Sequence, residues 1–419
     1  MMVITGMVFY FMVCVAWIYY CVKDKAIALT LPQIAATLGF KVLMGCLYGY
    51  IFLVKYNGDD TWIMHEDSLE QRDLLLSDPL LFITQMNPFA AFARFDTLEQ
   101  NIYYYLSDLE SWLLAKPFAV INIISGGNYY INIIFFCSIT FWGQYWLFRI
   151  MIQRLNVAFR PLFIVVFFVP PVVFWLSGLR ADGMLFLFTV LLLSKYDLLL
   201  VKFSLSDLLW FLLAAVGIVI LRSPVFMLLI PVLVSWWLVV KQNRKTFLVF
   251  ASVYASVMVI VLVTTIFSAN RNLLTPVARR QQEFFALDGN TRFQLDTLKP
   301  RAASFVRVFP QAVENSFLRP FPWEAKGSLQ YAAVLEVLLF LCLCGLVVWR
   351  RKADWYKPLG DPLVMSLIFF SISLYILVGY TVPFPGAIVR YKIIGELFLL
   401  VILTSLISWP SGKPVLTKV

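Results

Sequence analysis

Histidine is nearly missing from this chain: His65 is the only imidazole in 419 residues. Metal sites built on several histidines and Ser-His-Asp relays are therefore poorly supported. Charge is scarce too, at 14% Asp, Glu, Lys and Arg, where a soluble domain carries about 25%. The six cysteines (Cys14, Cys21, Cys46, Cys137, Cys342 and Cys344) all fall in apolar stretches. They form no disulfide framework and no metal-ligand spacing, and read as packing residues. No phosphate-binding P-loop or dinucleotide fingerprint is present.

What fills the chain instead is apolar: 61% hydrophobic and 17% aromatic. This composition predicts an all-α, polytopic membrane protein, a single transmembrane domain over residues 1–419. Stretches of near-bilayer length run over 2–22, 36–55, 128–148, 162–177, 184–200, 206–221, 224–240, 246–268, 331–349, 362–381 and 393–408. That is about eleven transmembrane helices.

Lys and Arg sort the connections between them. Lys23 and Lys25 follow the first stretch, and Arg149, Arg154 and Arg160 the third. Lys195 with Lys202, then Lys241, Arg244 and Lys245, then Arg350, Arg351, Lys352 and Lys357 mark later turns, and Lys413 and Lys418 close the chain. The clusters recur at every second connection, which places the N-terminus outside and the C-terminus in the cytoplasm. The first stretch lacks a basic leading region and a small-residue cleavage site, so it reads as a retained span. The net charge of +10 then reflects topology, and no nucleic-acid partner is implied.

Two long outer-face segments interrupt the pattern. Residues 56–127 carry net charge −8 and residues 269–330 net charge +4. Opposite signs on one face suggest that the two loops dock around a shared cleft; two independently solvated loops are the alternative. Within the first, Asp96 and Glu99 have the spacing of a capping box. Leu98, Ile102, Tyr105, Leu106, Leu109 and Leu113 follow at helical spacing, which predicts an amphipathic helix on the membrane surface. Trp62 to Leu76 is a second such segment.

The first loop opens with Asn57-Gly58-Asp59-Asp60-Thr61-Trp62, and His65, Glu66 and Asp67 follow. Carboxylates at a membrane interface are costly unless they meet water, a partner or a substrate. Four bases fall on the same outer face: Arg180 and Arg222 in short polar breaks, and Arg390 and Lys392 after Pro383-Phe384-Pro385-Gly386. Bases gathered against the positive-inside bias suggest a bound anion, and Arg suits phosphate. Snorkelling to lipid phosphates, or pairing with Asp182 and Glu396, is the competing explanation. Glu336 and Lys41 lie inside apolar runs without an assignable partner. Asp59 and Asp60 also offer oxygen ligands for a divalent cation, a weak signal from two carboxylates alone. No other metal site or cofactor is expected. His65 reads as a surface residue and stays, with Glu66, Glu324 and Glu336, among candidate substrate contacts.

Carboxylates and a ring of bases suit group transfer from a lipid-linked phosphate, with Asp60 or Asp59 as general base and the bases neutralising the departing phosphate. In Gly58-Asp59-Asp60 with its following amphipathic helices, and in Pro170-Pro171-Val172-Val173-Phe174-Trp175-Leu176-Ser177-Gly178-Leu179-Arg180-Ala181-Asp182, the chain resembles membrane-embedded (GT-C-type) glycosyltransferases. Arg319-Pro320-Phe321-Pro322-Trp323-Glu324 and Gly386-Ala387-Ile388-Val389-Arg390-Tyr391-Lys392 resemble segments of bacterial surface-polysaccharide membrane proteins. The resemblance implies a polyprenyl-phosphate sugar donor at the outer face of a bacterial cytoplasmic membrane. It also implies an acidic base in the first outer loop, a role that falls on Asp60 or Asp59. A polysaccharide polymerase or ligase, a transporter and a non-catalytic membrane subunit remain alternatives. Acceptor, sugar and oligomeric state stay open.

Overall fold

The computed structural model describes residues 2–87, 96–155, 157–242, 244–266, 271–287 and 292–409. Arg94, Asp288, Lys413, Lys418 and the expected end of a span at 267–268 lie outside the described residues. Among the described residues the chain is helical, with no strand. Its helices are α1 (Met2–Val22), α2 (Leu31–Tyr56), α3 (Asp59–Ser77), α4 (Pro79–Thr84), α5 (Leu98–Ser125) and α6 (Tyr129–Arg154). Then come α7 (Phe159–Phe168), α8 (Pro170–Ser177), α9 (Ala181–Val201), α10 (Leu205–Gln242) and α11 (Thr246–Thr264). Last are α12 (Thr275–Phe285), α13 (Ala302–Phe317), α14 (Ser328–Arg350), α15 (Pro362–Thr381) and α16 (Pro385–Leu406).

Eight of these (α1, α2, α6, α9, α10, α11, α14 and α15) are long and apolar enough to cross a bilayer. This is a multi-pass membrane protein. A ninth crossing forms if α7 and α8, bent by 45° at Val169-Pro170, count as one. Proline at the start of α8 removes a donor and turns the axis. The apolar stretches read from the sequence fall on helices, although 162–177 is divided between α7 and α8, 206–221 and 224–240 share one helix, α10, and α11 ends at Thr264.

Helix α10 is broken at Arg222 (φ −158°, ψ 84°). The ring of Tyr196 lies 5.7 Å from Phe211 and 5.5 Å from Trp236, and its hydroxyl donates to the Leu233 carbonyl. In an unbroken helix Phe211 and Trp236 would stand roughly 37 Å apart. The two halves therefore fold back against α9 as a hairpin, with Arg222 at its apex.

Local chemistry sets the helix ends. Thr30 and Gln33 form a capping box at α2. Asn128 accepts from the first amides of α6, and Asp361 does so for α15 while pairing with Arg154 at 2.9 Å. Arg154 also pairs with Asp197, and Lys195 with Asp207 at 2.7 Å. These pairs join α6, α9, α10 and α15 at one end of the bundle. Buried Lys41 donates to the Leu176 carbonyl at the end of α8 (3.2 Å), with no carboxylate among its described contacts.

Both long loops are folded. In the first, α3 packs along α5, whose N-cap is Thr97 with Gln100, one residue beyond the expected Asp96 and Glu99. The second holds α12 and α13, which the sequence reading did not anticipate. Their core of Ala278, Leu295, Leu298, Val308 and Ala312 closes on Tyr380. Pro310 inside α13 interrupts the helical pattern, and the face that packs on α15 sets Ala312 against Gly379 and Phe305, Phe309 and Phe317 against Tyr380 and Tyr375.

Candidate functional site

The turn between α2 and α3 carries the acidic pair. Asn57 (φ 52°), Gly58 (φ 102°) and Asp59 (φ 46°) are consecutive residues with positive φ. A side chain at Gly58 would be strained, and its Cβ would sit 3.0 Å from the Trp62 Cβ. The Gly58 amide returns to the Phe52 carbonyl (2.9 Å), closing α2. The Asp59 carboxylate accepts from the Asp60 amide at 2.7 Å.

Three further breaks bring side chains to this turn. Arg180 ends the extended link between α8 and α9, buried because Gly178 allows close contact with the Tyr48 ring. Its guanidinium pairs with Asp60, lies 3.7 Å from Asp59, and donates to the Tyr48 hydroxyl at 3.0 Å. Asp182, in the first turn of α9, lies 3.3 Å from Arg222 and 3.3 Å from Arg390. Arg390, near the start of α16, is also 3.9 Å from Asp60. The Tyr391 ring lies under two guanidinium groups, Arg222 at 4.2 Å and Arg390 at 4.7 Å.

The result is a continuous network of Asp59 and Asp60, Arg180, Arg390, Asp182 and Arg222. Exposure divides it. The Asp60 side chain is 59% exposed and Asp59 37%, whereas Asp182 is 5% and Arg180 7%. Asp182 is therefore a buried counter-charge that fixes two arginines, while Asp59 and Asp60 form the accessible rim. The pairing with Asp182 that competed with anion binding is present, and it leaves guanidinium groups of Arg180 and Arg390 directed at the exposed carboxylate of Asp60. Among the described residues the buried Nε atoms of Arg222 and Arg390 have no aligned hydrogen-bond partner, although Arg390 Nε lies 3.3 Å from Asp182.

Two contributors were not legible in the sequence. Tyr391 is one aromatic among many in a chain that is 17% aromatic. Glu110 on α5 is half-buried; burial pushes its carboxyl group up, while the charges of Arg222, Arg280 and Arg390 pull it down. Phe284 of α12 meets the Tyr391 ring at 5.9 Å. Helix α5 of the first loop packs on α10, and α12 of the second meets Tyr391.

The remaining expected site residues lie elsewhere. His65 is buried, not on the surface: its Nδ1 is 3.3 Å from Asn132 Nδ2, in a network with Asn122, Ser125 and Ser68 that ties α3, α5 and α6. Glu66, one position on, faces outward. Glu324 stays in the second loop, accepting from the Phe321 amide and lying 3.5 Å from Arg319. Lys392, expected with the other outer-face bases around a bound anion, is buried 3.6 Å from Glu336 and 3.6 Å from Glu396. Helix geometry is the reason: residues two apart point about 200° away from each other, so Arg390 and Lys392 serve different sides of α16.

No group of three or more His, Cys, Asp or Glu able to hold a metal ion occurs among the described residues. Asp59 and Asp60 both face Arg180, so a divalent ion there would compete with a guanidinium. Comparison with protein-family models, curated proteins and solved structures finds no match to this chain.

Proposed function

We propose that this protein is a membrane-embedded glycosyltransferase. It moves a sugar from a polyprenyl-phosphate-linked donor to an acceptor at the outer face of a bacterial cytoplasmic membrane. The observation that carries the reading is the convergence of Arg180 and Arg390 on two exposed carboxylates, Asp59 and Asp60, at one end of the bundle, with Arg222 held beside them on Asp182. The opposite end holds Arg154, Asp197 and Asp361. Eleven crossings accompany the proposal: the halves of α10 count as two, α7 with α8 as one, and α16 as the last. The N-terminus is then outside and the C-terminus cytoplasmic.

In the proposed reaction the donor phosphate exchanges with Asp60 on Arg180 and Arg390, since both ligands are oxyanions that a guanidinium binds through two oxygens. The released carboxylate takes the proton of an acceptor hydroxyl. The acceptor oxygen bonds to the anomeric carbon as that carbon's bond to the phosphate oxygen breaks. The electron pair leaves with the phosphate, whose charge the arginines neutralise. Asp182 keeps Arg222 and Arg390 in position throughout.

The test is transfer from a polyprenyl-phosphate sugar by purified protein. Arg390→Gln and Asp60→Asn should each abolish most turnover, and Arg390→Gln should also weaken donor binding. A surface-polysaccharide polymerase or ligase would use the same arginines without a carboxylate base. Loss in the arginine variants with wild-type turnover in both aspartate variants would favour it.

A further inference from the structure

Behind the arginine cluster, on the other side of α16, lies a second set of ionisable groups that the proposed transfer does not use. Lys392 and Glu396 of α16 meet Glu336 of α14, and all three are 1–2% exposed. The ammonium stands 3.6 Å from each carboxylate and donates to the Ser316 carbonyl of α13 at 3.4 Å. The Tyr375 hydroxyl of α15 donates to Glu396 at 3.5 Å, and its ring lies 5.3 Å from the ammonium. Among the described residues neither oxygen of Glu336 has a donor within hydrogen-bond distance, the Lys392 ammonium standing at 3.6 Å.

Charge counting makes this arrangement incomplete. Two carboxylates around one ammonium leave one negative charge uncompensated in a place water does not reach, at a cost of several kcal/mol. The missing ligand is therefore a single positive charge. A metal ion would have to lodge beside an ammonium that already approaches both carboxylates. A proton attaches directly to a carboxyl oxygen, turns that group into a donor, and needs no coordination shell.

We propose that Glu336 and Glu396 share one bound proton, making the Lys392–Glu336–Glu396 site neutral and forming a proton-binding site within the helix bundle. Among the elements packed on α16 and α14, α15 contributes Tyr375, α14 contributes Cys344 close to Tyr375, α13 presents the Ser316 carbonyl, and α8 has no titratable side chain. Helix α7 carries Arg160 in its first turn, and Asp182 of α9 is held by Arg222 and Arg390.

Infrared spectroscopy of the purified full-length protein at neutral pH tests the site. The wild type should show the carbonyl stretch of a protonated carboxyl group. That band should vanish in Glu336→Gln and equally in Glu396→Gln, because the remaining carboxylate then pairs alone with Lys392. A band unaffected by either substitution, or its absence from the wild type, overturns the proposal. Thermal unfolding supplies an independent reading if the bands overlap. The wild type should lose stability as pH rises above about 4.3, where the unfolded chain gives up its carboxyl protons and the folded site keeps one, and Glu336→Gln, a mimic of the protonated form, should lack that loss. Matching pH profiles for the two proteins would equally overturn it.

Discussion

Arg390 and Lys392 stand two positions apart on α16 and serve opposite environments. Arg390 approaches Asp182 at 3.3 Å in the arginine network, and Lys392 approaches Glu336 at 3.6 Å inside the bundle. Their substitutions should separate accordingly. Arg390→Lys retains charge but loses the planar fork, so affinity for a polyprenyl-phosphate analogue should fall roughly tenfold or more while folding persists. Lys392→Gln leaves buried carboxylates without their ammonium and should lower stability by about 3–5 kcal/mol. Binding titration and chemical unfolding of both proteins check the pair; an unstable Arg390→Lys beside a stable Lys392→Gln would reverse the assignment.

Asp60→Asn preserves shape and removes basicity. Turnover should drop roughly 100- to 10,000-fold, the range for loss of a general base, with donor binding retained. Asp59 is 3.7 Å from Arg180, where Asp60 makes the closer pair, so Asp59→Asn should be milder. Single-turnover transfer with labelled donor measures both, and wild-type rates in the two proteins would remove the base from this turn.

Gly58 holds the turn open for both carboxylates at φ 102°. Gly58→Ala should lower stability by about 1–3 kcal/mol through backbone strain and reduce turnover further by misdirecting Asp60. An unfolding curve superimposable on the wild type would show that the turn tolerates a side chain.

Burial holds His65 neutral and lowers its titration below the ordinary value. The unfolded chain therefore takes up the proton more readily, and stability, complete above about pH 6.5, should decline as pH falls below it. His65→Gln should flatten this acid-side slope. Thermal unfolding between neutral and mildly acidic pH measures it, and an unchanged slope in the variant would assign the effect to another group.

Cysteine substitution tests the topology after replacement of the six native cysteines. An impermeant thiol reagent added to intact cells should label a cysteine at position 280 and spare one at position 244. The reverse pattern would invert the orientation and remove the site from the outer face.

Particular residues show where sequence reading succeeds and stops. The apolar stretches became helical because a chain 61% hydrophobic must satisfy its backbone internally wherever lipid surrounds it. Periodicity and length alone carry that signal. Asp60, Arg180, Arg222 and Arg390 stood out because charge beside apolar spans is costly and breaks a regular pattern. Which charges meet was decided only by tertiary structure. The fold-back of α10 puts Arg222 beside Asp182, and the winding of α16 turns Lys392 away from Arg390 toward Glu336. His65 looked like a surface residue in a polar segment, yet packing of α3 on α5 and α6 buries it. Sequence determines hydrophobic period and local breaks, which are properties of neighbouring residues. Partnerships among distant charges depend on how whole helices cross and rotate, and no local pattern encodes that.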